Sequence, residues 1–385
     1  MKNTNNKMRK NLFLFYILLS AFCLLPFSTF AQLNWNGTQT FASNTTITQN
    51  ITLTGNVTVD VASGVTVTIN GVISGSSNYT FTKAGNGILV LTGTNTYAGG
   101  TNISAGTLQI GDGIITNTSI NSTSGVNISN ASAILHFMPC TSNTTFSKVI
   151  SGSGKLEFTG NHINWGYPVA MALFLTANNT YSGTTTINGG VLAIGNGGTT
   201  GAIEGDIVVN KIYSDSYAHL RFSRSNAYTY SGTISGNGNV YKEGGATGTL
   251  TFNKIHTYTG TTSIVNGMLI LTESASIQNS SEVVTLNGKL DISAGNQTIQ
   301  RPNIQFGAII PFEIILGTST LVIHNDGNST YGGKITGTGS IIKSGTGSLT
   351  FDNVMTYTGS TTINDGTLIL GANGFITSSS NSTKE

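Results

Sequence analysis

Leu89-Val90-Leu91-Thr92-Gly93-Thr94-Asn95-Thr96-Tyr97-Ala98-Gly99-Gly100-Thr101-Asn102-Ile103-Ser104-Ala105-Gly106-Thr107-Leu108-Gln109-Ile110-Gly111 holds three short runs in which apolar residues occupy alternate positions, divided by glycine. Period two is the side-chain repeat of an extended strand, and glycine supplies the backbone freedom of a tight turn. The stretch recurs three times, anchored at Tyr181, Tyr258 and Tyr357, at spacings of 84, 77 and 99 residues from one tyrosine to the next. Internal repetition at such periods points to stacked units that cannot bury their apolar faces alone.

The copies align column by column. Leu89, Leu173, Leu250 and Leu349 form one column, and Leu91, Leu175, Phe252 and Phe351 follow two residues on. Between them Val90, Phe174, Thr251 and Thr350 mix apolar with polar, as the outer side of a half-buried strand does. A second strand carries Ile103, Ile187, Ile264 and Ile363, and a third carries Leu108, Leu192, Leu269 and Leu368. Gly106, Gly190, Gly267 and Gly366 divide the second strand from the third, while Gly99, Gly183, Gly260 and Gly359 follow each tyrosine by two. An Ile-Ser-Gly or Ile-Thr-Gly motif precedes each copy at Ile73, Ile150, Ile234 and Ile335, followed in three copies by Lys83, Lys242 and Lys343 and in the second by Phe158. Three short strands in roughly 25 residues predict one coil of a right-handed parallel β-helix, an all-β solenoid. Hairpins at each glycine are the competing reading, but an antiparallel meander needs longer strands than these. The expectation is about 14–18 rungs and a rod of about 70–85 Å. The stretches 113–147, 199–230 and 273–330 match poorly and predict degenerate rungs with surface loops.

Composition agrees. Charged residues are 8% of the chain, Gly is 49 of 385, and Pro is only 5, which rules out a Pro-rich stalk. Residues 1–31 read as a signal peptide: Lys2, Lys7, Arg9 and Lys10 precede an apolar run from Leu12 to Leu25, and Thr29-Phe30-Ala31 suits cleavage after Ala31. The remainder is predicted to form a solenoid over 32–372, with motifs near 83–113, 170–197, 242–272 and 343–372, and a polar tail over 373–385. Without the signal segment, 13 Lys and Arg face 15 Asp and Glu. That balance offers no basic patch for nucleic acid and no polybasic segment for a membrane surface. Cys140 is then the only cysteine, so no intrachain disulfide is expected. Trp35 and the segment after it are expected to cap the N-terminal end.

The copy from Gly85 to Gly111 resembles the autotransporter-associated β-strand repeat, also called the passenger-associated transport repeat, with its Leu-x-Leu-Thr-Gly-x-Asn-Thr-Tyr-x-Gly-x-Thr-x-Ile core. The other copies match at the Tyr, Gly and Leu positions, and with their leading motifs the likeness covers roughly a third of the chain. The resemblance implies a bacterial, exported or cell-surface β-helix of adhesin-like type, whose repeat aids secretion and folding of a passenger. It also implies a membrane β-barrel in the same chain. After Gly371 the only aromatic residue is Phe375, and Thr377 to Glu385 is polar, so self-transport by this sequence is not expected.

No catalytic, cofactor-binding or metal-ligating residue is assigned. Glu204, Asp206, Asp215, His219, Arg221 and Arg224 are the one local density of ionisable groups, and they read as solvated loop charges. His324-Asn325-Asp326 lacks a second His or Cys at ligand spacing. His256 falls in the column of Asn95, Asn179 and Met355, and a column that admits Met reads as a packing position. Trp165 and Tyr167 interrupt the rung pattern and read as a loop packed on the solenoid rather than a sugar platform. The four repeated tyrosines are too far apart to form one binding row, which leaves a turn-bracing role. The resulting expectation is a non-enzymatic, adhesin-like, monomeric rod whose partners are glycans or cell-surface proteins, with no membrane span in the mature chain. A polysaccharide lyase or hydrolase on the same scaffold is the alternative, recognisable by carboxylates converging on one rung face.

Overall fold

Alternating Val, Ile and Leu over three to five residues, with turns that allow the chain to return to the same side, leave stacking of successive turns as the way to dry the apolar edge. A computed structural model of the chain describes residues 32–114, 118–140, 143–164, 167–211, 217–304, 312–377 and 381–383, and the segment expected to be a signal peptide lies outside them. Every regular element among the described residues is a strand. The strands wind into a parallel β-solenoid of about 15 turns. At about 4.8 Å per rung the rod is roughly 70 Å long.

Each turn contributes to three faces. The third face shows the stacking most plainly, as a nine-stranded parallel sheet from Thr45–Ile47 to Ile234–Gly236. Its register runs Val67, Leu89, Leu108, Leu135, Leu156, Thr185, Ile207, Ile234, one residue per rung. All eight are buried, and each apolar one contributes about 1.5–3 kcal/mol. The first and second faces merge where a single strand crosses their shared corner. Thr262–Leu271 pairs with Asn239–Glu243 through its first residues and with Thr249–Phe252 through its last.

The poorly matching stretches are rungs too. Val126, Ile128, Leu135, Phe137 and Phe146 fill the interior in one of them, and Ile207, Val209, Leu220, Phe222 and Tyr230 in the next. One departure from the parallel scheme is local: Asn161–Asn164 and Tyr167–Ala170 form an antiparallel hairpin between two rungs. Trp165 falls outside the described residues. Trp35 is buried in the first described rung, where it meets Phe41 at 6.3 Å between ring centroids.

Two expectations need correction. The third strand of the motif does not lie on a third face. Thr107–Ile110 stacks directly on Ile88–Leu91, so the motif runs a full turn and returns to its starting face one rung on. The aligned leucines of different copies also do not stack on one another. Leu89 lies on the third face, Leu173 on the first, Leu250 on the second and Leu349 on the first. The copies therefore enter the coil at different azimuths, and the three sides are interchangeable hosts for one motif.

Candidate functional site: the repeated motif and the outer faces

The motif's polar residues point inward. Tyr97, Tyr181, Tyr258 and Tyr357 are all fully buried. Their hydroxyls meet the Oγ1 of the threonine four residues on: Thr101 at 2.8 Å, Thr185 at 2.6 Å, Thr262 at 2.6 Å, and Thr361. Burial raises the phenol pKa of each, so the hydroxyls stay protonated. Each tyrosine thus braces the corner that follows it, as its spacing suggests. Tyr230 and Tyr331 do the same work from degenerate rungs, with hydroxyls donating to the carbonyls of Gly205 and Lys334.

The column of Asn95, Asn179 and His256 does more than pack. Asn95 Oδ1 accepts the N–H of Ile73, and Asn179 Oδ1 accepts that of Ile150, both at 2.9 Å. His256 Nδ1 accepts the N–H of Ile234 at 3.1 Å in the same way. Each side chain thus satisfies the first amide of the Ile-Ser-Gly motif one rung back, a buried donor that would otherwise cost about 1–3 kcal/mol. Met355 shows that the slot also takes a side chain without this chemistry, and it alone pointed to packing.

His256 carries a consequence for pH. It is fully buried with its ring 4.2 Å from that of Phe252, and burial lowers its pKa from 6.5 to about 4. A histidine held neutral in the folded state leaves the unfolded chain binding more protons between those values. Stability from this group is therefore complete above pH 6.5 and is lost as pH falls towards 4, by about 3 kcal/mol in all. His256→Asn installs the residue of the first two copies. The stability difference between variant and parent will shift towards the variant by that amount between pH 7 and pH 4, read from urea melts at each pH. A difference that stays constant would refute the assignment.

Three lysines are buried as well, which the sequence pattern did not disclose. Lys83 Nζ donates to the carbonyls of Ala84 and Gly85 at 2.7 Å and Ala105 at 3.2 Å. Lys343 Nζ repeats this on Ser344, Gly345 and Asp365, and Lys242 Nζ on Glu243 and Asn266. Burial lowers the Lys83 and Lys242 pKa to about 8. Beneath the same corners sit Gly106, Gly267 and Gly366, all with positive φ. Gly99, Gly183, Gly260 and Gly359 are required for another reason: an added Cβ would sit 1.7–2.2 Å from a carbonyl oxygen of the preceding rung.

The outer faces carry the remaining candidates. On the second face Asn102, Ser124, Asn127, Val149 and Ser151 line a groove, with Asn127 Nδ2 donating to Asn102 Oδ1 at 3.2 Å. Of the ionisable residues singled out in the sequence, His219 and Arg221 share the outer side of Ala218–Ser223, and Arg221 pairs with Glu243 at 3.5 Å. Asp206 accepts the N–H of Thr233, Arg224 donates to the carbonyls of Gly201 and Thr199, Glu204 is exposed, and Asp215 lies outside the described residues. These charges are mostly tied to neighbouring rungs rather than free in loops. His324 Nε2 lies 3.1 Å from Asp326 Oδ2 and its Nδ1 3.2 Å from Ser344 Oγ. Asn325 is buried and donates to the carbonyls of Gly327 and Ser348. Among the described residues no three His, Cys, Asp or Glu converge, and no helix is long and apolar enough to cross a membrane. Cys140 is a buried free thiol whose Sγ meets the carbonyl of Ile114.

The braced tyrosines, the amide-capping column and the two glycine columns belong to one sequence unit. The family model of the passenger-associated transport repeat matches residues 81–110, 172–194, 247–271 and 341–370. This chain carries four passenger-associated transport repeats. Each match contains one of the four braced tyrosines. Over 208 residues, 48% of the chain, the sequence is 32% identical to the adhesin BmaC autotransporter of Brucella suis biovar 1 (strain 1330). The aligned part is 6% of that relative, so the chain spans a small fraction of its length. No solved structure matches the chain. Within the four matches, the chemistry-bearing side chains of the transport repeat are consumed in building the coil.

Proposed function

We propose that the chain is a secreted or cell-surface, adhesin-like rod of the autotransporter passenger type, without enzymatic activity. The observation that carries this reading is that the repeat spends its Tyr, Asn and Lys side chains inside the coil. The outer faces keep a charge-poor surface of Thr, Ser and Asn, as in the groove around Asn102 and Asn127. Such a surface offers many weak hydrogen bonds and little long-range field, which suits contact with glycans or with proteins of another cell surface. The likeness to an autotransporter adhesin and the signal-like composition of residues 1–31 support export.

Protease shaving of intact bacteria expressing the full chain, with immunoblotting of cells and medium, tests the reading. The expected result is chain in the medium or removed from the cell surface, shorter than the translated product by the signal segment. Intact, full-length chain confined to the cytoplasm would overturn it.

A further inference from the structure

The outer side of the first face carries a cluster that the repeat does not need. Tyr217, His219 and Tyr241 form a row of rings: Tyr217 meets His219 edge-on at 5.5 Å, and His219 lies 4.8 Å from Tyr241. Arg221 sits 5.4 Å from the Tyr241 ring centroid and reaches Glu243 with one terminal nitrogen. Ala218, Leu220 and Phe222 of the same strand fill the interior, so His219 and Arg221 face outward. None of these five residues lies in a transport-repeat match.

Two buried donors in the cluster have no partner. Asn239 Oδ1 accepts the N–H of Thr261, which fixes the amide so that its Nδ2 faces His219 Nε2 at 3.5 Å. His219 Nε2 is then an acceptor and the proton of the neutral ring is on Nδ1. His219 is 9% exposed, and its Nδ1 is unpartnered, as is Arg221 Nε. Buried donors left unmade are costly and rare, and here two occur on one outer strand face beside an aromatic ring that is 51% exposed. The field is positive: Arg221 and Lys211 both act on His219, whose pKa falls to about 4 through burial first and these cations second, so the imidazole is neutral at physiological pH.

We propose that Tyr217, His219, Arg221 and Tyr241 form a binding site for an acidic pyranose, such as a uronic acid residue of an acidic polysaccharide. The exposed Tyr217 ring takes the apolar face of the sugar. The carboxylate accepts from the guanidinium of Arg221, whose side chain is 35% exposed, and Arg221 supplies the countercharge that Glu243 only partly neutralises. Surface display gives the site its setting, but binding by purified protein stands or falls apart from the export route.

Isothermal titration of the purified chain with oligogalacturonides, and with maltooligosaccharides of equal length, tests the site. Binding is expected for the acidic series alone, and Tyr217→Ala and Arg221→Gln should each weaken it on the order of tenfold. Tyr217 is half exposed, so its removal leaves the core untouched; circular dichroism melts check the fold of both variants. Equal affinity for the neutral series would overturn the acidic assignment. No binding to the acidic series, or affinity unchanged in a folded Tyr217→Ala protein, would overturn the site.

Discussion

Gly267→Ala will cost about 3–5 kcal/mol. Two penalties coincide there. The residue has φ +73°, which a Cβ disfavours by about 1–2 kcal/mol. The added Cβ would also stand 2.1 Å from the carbonyl oxygen of Gly248 on the rung below, and a paired backbone cannot yield without opening the ladder. Gly64→Ala separates the two effects. Gly64 has φ +76° with nothing within 4 Å of the new methyl, so only the conformational penalty applies. Urea melts followed by circular dichroism should rank Gly267→Ala well below Gly64→Ala. Equal midpoints would mean that the rungs are not packed as closely as described.

The second large effect is expected at a lysine. Lys83→Met should cost about 2–4 kcal/mol at neutral pH, because three turn carbonyls lose their donor together. The opposing term is real: the ammonium is desolvated, and methionine relieves that cost. Replacing both members of a buried polar pair with apolar groups is often neutral, but here the carbonyls belong to the backbone and stay behind. The loss therefore exceeds the relief. Hydrogen exchange should locate it at the amides of Gly85–Ile88 and Gly106–Leu108. A variant as stable as the parent would mean that solvent reaches those carbonyls.

The strands, the alternation and the buried Leu and Ile positions of the first three copies were legible in the sequence because period two and glycine punctuation are local signals, while in the last copy Ile363 and Leu368 are only partly buried. The tyrosine brace was legible too, since its partner threonine lies only four residues away. The face taken by each copy was not. Inward-outward alternation is the same on all three sides, so Leu89 and Leu173 look alike in sequence although they lie on different sheets. The partner of Asn95 was hidden for a related reason: Ile73 is 22 residues back, a distance set by turn lengths that carry no periodic mark. The lysines were obscure because a charge in a polar-rich strand reads as solvated, although Lys83 shares the inward side of its strand with Phe81 and finds its acceptors in the carbonyls of the closing turn. At His219 and Arg221 a density of charge was visible along the chain, but their meeting with Tyr217, Tyr241 and Glu243 depends on the stacking of separate rungs.

Because successive copies begin on different sides of the coil, the inherited segment and the geometric period are out of step. Excising the chain between Tyr97 and Tyr181 would rejoin compatible corners, yet everything downstream would swing about the long axis by about 120°. Patches such as that around Tyr217 would then look out in a new direction while their own contacts stayed intact. Gain or loss of a copy by recombination thus becomes a rotary adjustment, re-aiming a display surface without altering a residue of it.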